Sequence, residues 1–160
     1  MPTNLWSFAV TLYGRPGVEA ASLRLQDAGA DVCLLLCAAW LGHQGVAWEV
    51  GRWQQLQALA QPWQADVVAP LRQLRQQWRG AARCDEGLAV LRGQLKTLEL
   101  YAERQLLARL EEIAKHWPRE AAGNAPEWLE QALPATARRQ YDALDALRAA
   151  LPSGSLGRRG

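Results

Sequence analysis

The stretch Asp31-Val32-Cys33-Leu34-Leu35-Leu36-Cys37-Ala38-Ala39-Trp40-Leu41-Gly42 decides the fold. Val32 to Leu41 is apolar without a break. A helix with no polar side has nothing to give to water, so other elements must enclose it all round. At ten residues the run reaches only half of a membrane span, so the enclosing elements are expected to be protein helices. Asp31 can cap this helix by accepting a backbone N–H, and Gly42 is read as its end. The expected fold class is all-α: a compact bundle of about six to eight helices, with one buried central helix and one long helix.

Upstream, Asn4 can cap a helix running to Tyr13, with Leu5, Phe8, Ala9 and Leu12 on one face. Gly14 ends it. Pro16 suits the first turn of a second helix lined by Val18, Ala21 and Leu25, which Gly29 stops. Downstream, a helix is expected over Val46–Ala60, with Val50, Trp53 and Leu56 inward. Pro62 is read as opening the next one, whose stripe is Trp63, Val67, Leu71, Leu74 and Trp78. Pro70 lies inside that stripe and removes one intrahelical hydrogen bond, so a kink or break is expected there. The long helix spans about Asp85 to His116. Leu88, Leu91, Leu95, Leu98, Ala102, Leu106, Leu110, Ile113 and Trp117 form its stripe, with steps averaging near 3.6. Leu100 and Leu107 lie on the other side and call for a second neighbour.

After it, residues 117–126 read as a linker. Pro126–Leu133 and Ala135–Leu151 read as two short helices, with Tyr141, Leu144, Leu147 and Leu151 docking on the long one. Residues 1–152 are therefore expected to form one helical domain, followed by a disordered Gly/Ser/Arg tail over 153–160.

The bulk numbers exclude more than they assign. A chain of 160 residues can bury about 70% of its unfolded surface, and a net charge of +2 drives it to neither nucleic acid nor membrane. Eight tryptophans beside one phenylalanine and three tyrosines argue for a tightly packed helical domain. Met1-Pro2-Thr3-Asn4 is not a basic stretch leading into an apolar run, so no secretory leader is read. With three cysteines, an odd number, the expectation is a reduced, cytoplasmic protein.

Two constellations carry charge. Arg72, Arg75, Arg79 and Arg83 share one helical stripe beside Trp78. Guanidinium forks match phosphate and carboxylate oxygens, so the stripe can grip an anion or an acidic partner; it can equally be a solvated face or ion-pair with the long helix. On the long helix stand Lys96, Glu99, Glu103 and Arg104. Glu99 and Glu103 are a like-charged i,i+4 pair that wants a cation nearby, and Arg72 and Arg75 are the candidates. A carboxylate pair can also do acid–base work. No metal-ligand spacing is readable: Cys33 and Cys37 sit on the buried helix as small apolar fillers, and His43, Cys84 and His116 are far off. No phosphate loop, nucleophile elbow or catalytic triad pattern is present, and no cofactor or catalytic residue is assigned.

The opening Asn4-Leu5-Trp6-x-Phe8-Ala9-x-x-x-Tyr13-x-x-Pro16-Gly17-Val18, followed by Asp31-Val32-x-Leu34-Leu35-Leu36, resembles an uncharacterised family of proteobacterial proteins of about this length, of the pseudomonad and vibrio type. Trp63-x-x-x-Val67-Val68-x-Pro70-Leu71-Arg72-x-x-Arg75 and Glu99-Leu100-x-x-Glu103-Arg104 fit it more loosely, so that the likeness covers roughly residues 4–110. Where this chain has Cys33, the family often has Asn. The resemblance implies a helical, cytoplasmic bacterial protein and no activity. Its polar positions here are Asn4, Asp31, Arg72, Arg75, Glu99, Glu103 and Arg104.

The leading expectation is a non-enzymatic protein-binding adaptor or regulator contacting its protein partner through Arg72, Arg75, Arg79 and Trp78, with Lys96, Glu99, Glu103 and Arg104 beside them. Anion or nucleic-acid binding through the same arginines, and an enzyme using Glu99 and Glu103, are the alternatives. No membrane partner is expected, and a homodimer through the long helix is open.

Overall fold

The computed structural model describes residues 4–119, 125–137 and 140–151. The expected tail, and residues 120–124 of the expected linker, lie outside them. The described chain is all-helical, in the order α1 (Leu5–Tyr13), α2 (Val18–Asp27), α3 (Val32–His43), α4 (Val50–Trp63), a π turn (Gln64–Val68), α5 (Ala69–Gln77), a 3-10 turn (Ala81–Arg83), α6 (Glu86–Ala114), α7 (Ala125–Ala132) and α8 (Tyr141–Ala150).

The buried helix is α3. Every residue from Cys33 to Gly42 is buried. Asp31 caps it, its side chain accepting from the Leu34 N–H at 3.1 Å. Gly42 does not end it. The helix runs on to His43 and stops at Gly45, whose φ of 76° places it in the left-handed region. Val46 N–H donates to the Leu41 carbonyl and Gly45 N–H to that of Gly42, the paired bonds of a Schellman stop. Val46 therefore closes α3 rather than opening α4. Gly29, at φ 100°, ends α2 in the same way and turns the chain toward Asp31. Asn4 caps α1, with Ser7 N–H donating to it at 2.7 Å. Pro16 precedes α2 by two residues instead of sitting in its first turn.

Around α3 pack α1, α2, α4, α6 and α7, and α8 covers α2. The last helix, expected on the long one, packs on α2 instead, and α7 packs on α3. Trp128 of α7 is wholly buried, its indole N–H donating to the Val46 carbonyl at 2.8 Å.

From Val50 to Gln77 the chain is one helical rod, so Pro62 opens nothing and Pro70 breaks nothing. Pro70 has no N–H for the Asp66 carbonyl. The turn before it widens instead, and Ala69 N–H donates to the Gln64 carbonyl five residues back. Val50 points outward at 58% exposure, because α4 begins there and not at Val46.

The long helix α6 leads two lives. Ala102, Leu106, Leu107, Leu110 and Ala114 are buried in the core. Its first half forms a hairpin with α5 that runs past the core, where Leu91 and Leu98 are exposed against expectation. Leu107, read as facing away, is buried. A stripe cannot say where the surface it faces stops.

Leu110 is 0% and Leu98 53% exposed. Leu110→Ala should lower unfolding free energy by about 2–5 kcal/mol, and Leu98→Ala by about 0.5 kcal/mol or less, in urea titrations followed by circular dichroism.

Candidate functional site

Between α1, α2 and the start of α3 on one side and the π turn, α5 and α6 on the other lies a cavity of about 990 Å³. Helix α1 contributes Trp6, Val10 and Tyr13, and α3 contributes Val32, Cys33 and Leu36. The opposite wall carries Gln64, Arg72, Arg75, Glu99, Leu100, Glu103 and Leu107. Asp31 sits at the junction, at the start of α3. Most of the lining is apolar, and a hydrogen-bonded cluster of polar groups is built around Arg72.

Arg72 is the hub of that cluster. Its Nε donates to Glu99 Oε1 at 3.1 Å and its Nη2 to Glu103 Oε1 at 3.3 Å. With the Gln26 carboxamide oriented to present its oxygen, the same Nη2 also reaches it at 2.8 Å. Arg75 Nε donates to Glu99 Oε2 at 2.5 Å and its Nη2 to Oε1 at 3.3 Å. Glu99, only 7% exposed, thus has both oxygens held by guanidinium forks. The π turn brings in Gln64, whose Nε2 donates to Asp31 Oδ1 at 3.0 Å.

The surroundings shift the titratable groups. Burial pushes the Asp31 carboxyl up, against the lowering pull of the Leu34 N–H, the Gln64 amide and Arg72. Burial also raises the Glu103 carboxyl; Arg72 opposes this and neighbouring Glu99 adds to it. The Tyr13 hydroxyl is raised by burial and by Glu19 and Glu103. Burial drives the Cys33 thiol far up, so it stays protonated and unreactive. Arg75 is raised by its hydrogen bond to Glu99.

The sequence-derived candidates divide accordingly. Asp31, Arg72, Arg75, Lys96, Glu99 and Glu103 line one cavity, with Lys96 exposed at its rim. Arg104 is exposed and lies over the Trp6 ring at 4.8 Å, backing the cavity wall from outside. Asn4 is a helix cap. Trp78 and Arg79 stand apart from the cavity: Trp78 is half-buried at the end of α5, and Arg79 lines a shallow depression of about 270 Å³ with Arg83 and Arg92. The arginine stripe is therefore not one surface. Its first two members turn inward onto carboxylates, and the others face solvent. Among the described residues no three His, Cys, Asp or Glu side chains are grouped as metal ligands.

Sequence reasoning missed Gln26 and Gln64, for which no local signal exists, and the place of Trp6 and Tyr13 in the cavity wall. Their presence in the opening block was the available signal.

Fold and site together define an all-helical protein enclosing a part-polar cavity. The chain belongs to a family described as protein of unknown function (DUF2390), which matches residues 4–110. Every cavity residue named above falls within that span. No match was found among curated proteins or solved structures.

Two outcomes are expected. Arg72→Met leaves Glu103 without its cation and Glu99 with Arg75 alone, and should destabilise the protein by about 2–4 kcal/mol at neutral pH, with a smaller loss in acid, where the raised Glu103 carboxyl protonates. Asp31→Asn should act in the opposite direction. A carboxyl raised above its ordinary value near 3.9 lets the fold bind a proton more tightly than the unfolded chain, so stability falls as pH rises from about 4 through the raised value. Asn keeps the cap and the Gln64 bond without that penalty. Its stability relative to wild type should increase between pH 4 and pH 7 in parallel urea titrations. A difference that shrinks with pH would reverse the assignment.

Proposed function

We propose that this protein is a non-enzymatic binding protein that holds a small molecule in the cavity beside Arg72, Glu99 and Glu103. The observation that carries the reading is the cavity itself. Its volume of about 990 Å³ is that of a ligand site, its walls are mainly apolar, and a few convergent polar groups cluster around Arg72. The three free thiols, two of them buried, support a reducing, cytoplasmic setting. No helix among the described residues is long and apolar enough to cross a membrane.

The adaptor reading keeps one supporting observation, at a different place. Val90, Leu91, Leu98 and Tyr101 are exposed on the outer face of α6, a face with no charged side chain from Gly87 to Ala108. A protein partner, a second copy included, would use that face rather than Arg72 and Arg75. Anion or nucleic-acid binding through Arg72 and Arg75 loses support because their donors are taken by Glu99, Glu103 and Gln26. The enzyme reading has a raised Glu103 carboxyl in a concave site and no activated nucleophile beside it, the Cys33 thiol being driven the wrong way.

Nile red, a neutral apolar dye, should bind saturably at one site per chain. Leu100→Trp, which fills the mouth of the cavity, should weaken it about tenfold or more. Leu98→Glu, on the outer face of α6, should leave it unchanged. The reverse pattern would put the dye on the outer face and remove the cavity reading.

A further inference from the structure

The cavity has an unbalanced charge. Three carboxylates face it, Asp31, Glu99 and Glu103, against two guanidiniums, Arg72 and Arg75. Glu19 and Lys96 also line it, but both are exposed at the rim, one of each sign, and leave the balance unchanged. Glu99 is satisfied by both arginines. Glu103 is not: among the described residues Arg72 alone donates to it, through Oε1, and Oε2 receives no hydrogen bond. Gln64 meets Asp31 with a neutral amide, which satisfies a lone pair and supplies no charge. The groups lining the cavity thus carry one more carboxylate than guanidinium, and Glu103, part-buried with 29% of its side chain exposed, is the carboxylate a cation or a proton would best complement.

The walls fit the same ligand. Trp6 and Tyr13 bring two aromatic rings to the cavity; one face of Trp6 carries the Arg104 guanidinium at 4.8 Å, and the other ring, Tyr13, offers a face that attracts ammonium groups. Val10, Leu36 and Leu107 offer an apolar body its place. A carboxylate or phosphate ligand would add a fourth negative charge and find Arg72 and Arg75 already engaged.

We propose that the cavity takes an organic monocation, a ligand with one ammonium-type charge set against Glu103 and Asp31 and an apolar body along Trp6, Val10 and Leu107. This rests on the cavity being a ligand site. Burial raises both the Asp31 and the Glu103 carboxyls, as expected of a site that accepts a proton while no other cation is bound.

The experiment uses three probes of one shape: 4-phenylbutylammonium, 4-phenylbutanol and 4-phenylbutyrate. Each is titrated into the full-length protein at neutral pH, with the Trp6 indole and Leu34 amide signals followed by NMR. The ammonium should bind about tenfold or more tightly than the alcohol, and the carboxylate most weakly. Glu103→Gln should bring the ammonium down to the level of the alcohol without changing the alcohol. Should that variant not fold, Lys96→Gln replaces it: loss of this exposed rim cation should strengthen ammonium binding and leave the alcohol as it was. If the alcohol or the carboxylate binds as well as the ammonium, the monocation proposal is overturned and the cavity remains a ligand site of another class. If none of the three moves either signal, both proposals fall.

Discussion

Helix α3 is the constraint from which the rest follows. Ten consecutive buried residues leave it no direction in which to meet water. Each of its faces needs apolar cover, and no single helix covers more than part of a cylinder. The chain answers with α1, α2, α4, α6 and α7. Both ends of α3 are fixed locally, by the Asp31 cap and the left-handed Gly45, so its length and register do not depend on its neighbours. They pack onto a helix whose boundaries are already set. The same cap residue is what the cavity borrows. Asp31 must stand where the buried helix begins, so a carboxylate is delivered to the interior as a by-product of stopping and starting helices.

The second side of the cavity is held by charge rather than by cover. No residue of α5 is fully buried, and it grips α6 through the bonds of Arg72 and Arg75 to Glu99 and Glu103, with Arg92 Nε donating to the Arg75 carbonyl at 2.9 Å. Such pairs contribute little net stability once desolvation is counted, and apolar side chains of similar volume would commonly join two helices as well. What ionic pairing supplies that apolar packing cannot is a fixed polar wall. Burial raises the Glu103 carboxyl on that wall, against the lowering pull of Arg72.

Much of the helical frame was legible because it is written in short-range rules. Asn4 and Asp31 stand just before apolar runs as side chains able to cap them, and a run without polar residues marks a helix that has to be enclosed. Errors arose where a local rule had two solutions. A glycine near a helix end can stay helical or take the positive φ of a stop, and here Gly42 stays helical while Gly45 takes positive φ and ends the helix. A proline inside a stripe removes one donor, and the chain can break, kink or widen one turn; here it widens. Periodicity told which side of α6 is apolar, and could not tell that the core ends near Ala102 while the stripe goes on.

The site was legible only in part, for a related reason. The pairing of Arg72 and Arg75 with Glu99 and Glu103 was foreseeable, because two carboxylates one turn apart on a helix repel and a nearby cation relieves them. What spacing could not give is direction. A stripe of arginines looks the same in sequence whether it faces solvent or a neighbour, and here it does both, turning inward at Arg72 and Arg75 and outward at Arg79. The deciding contacts join residues far apart in the chain: Asp31 with Gln64, and Arg72 with Gln26 and Glu103. Together they join the start of α3 to the π turn, α2 to α5, and α5 to α6. The polar cluster of the cavity therefore assembles only when the whole fold does. A change in any of those elements moves the site even though it touches none of the site's charges.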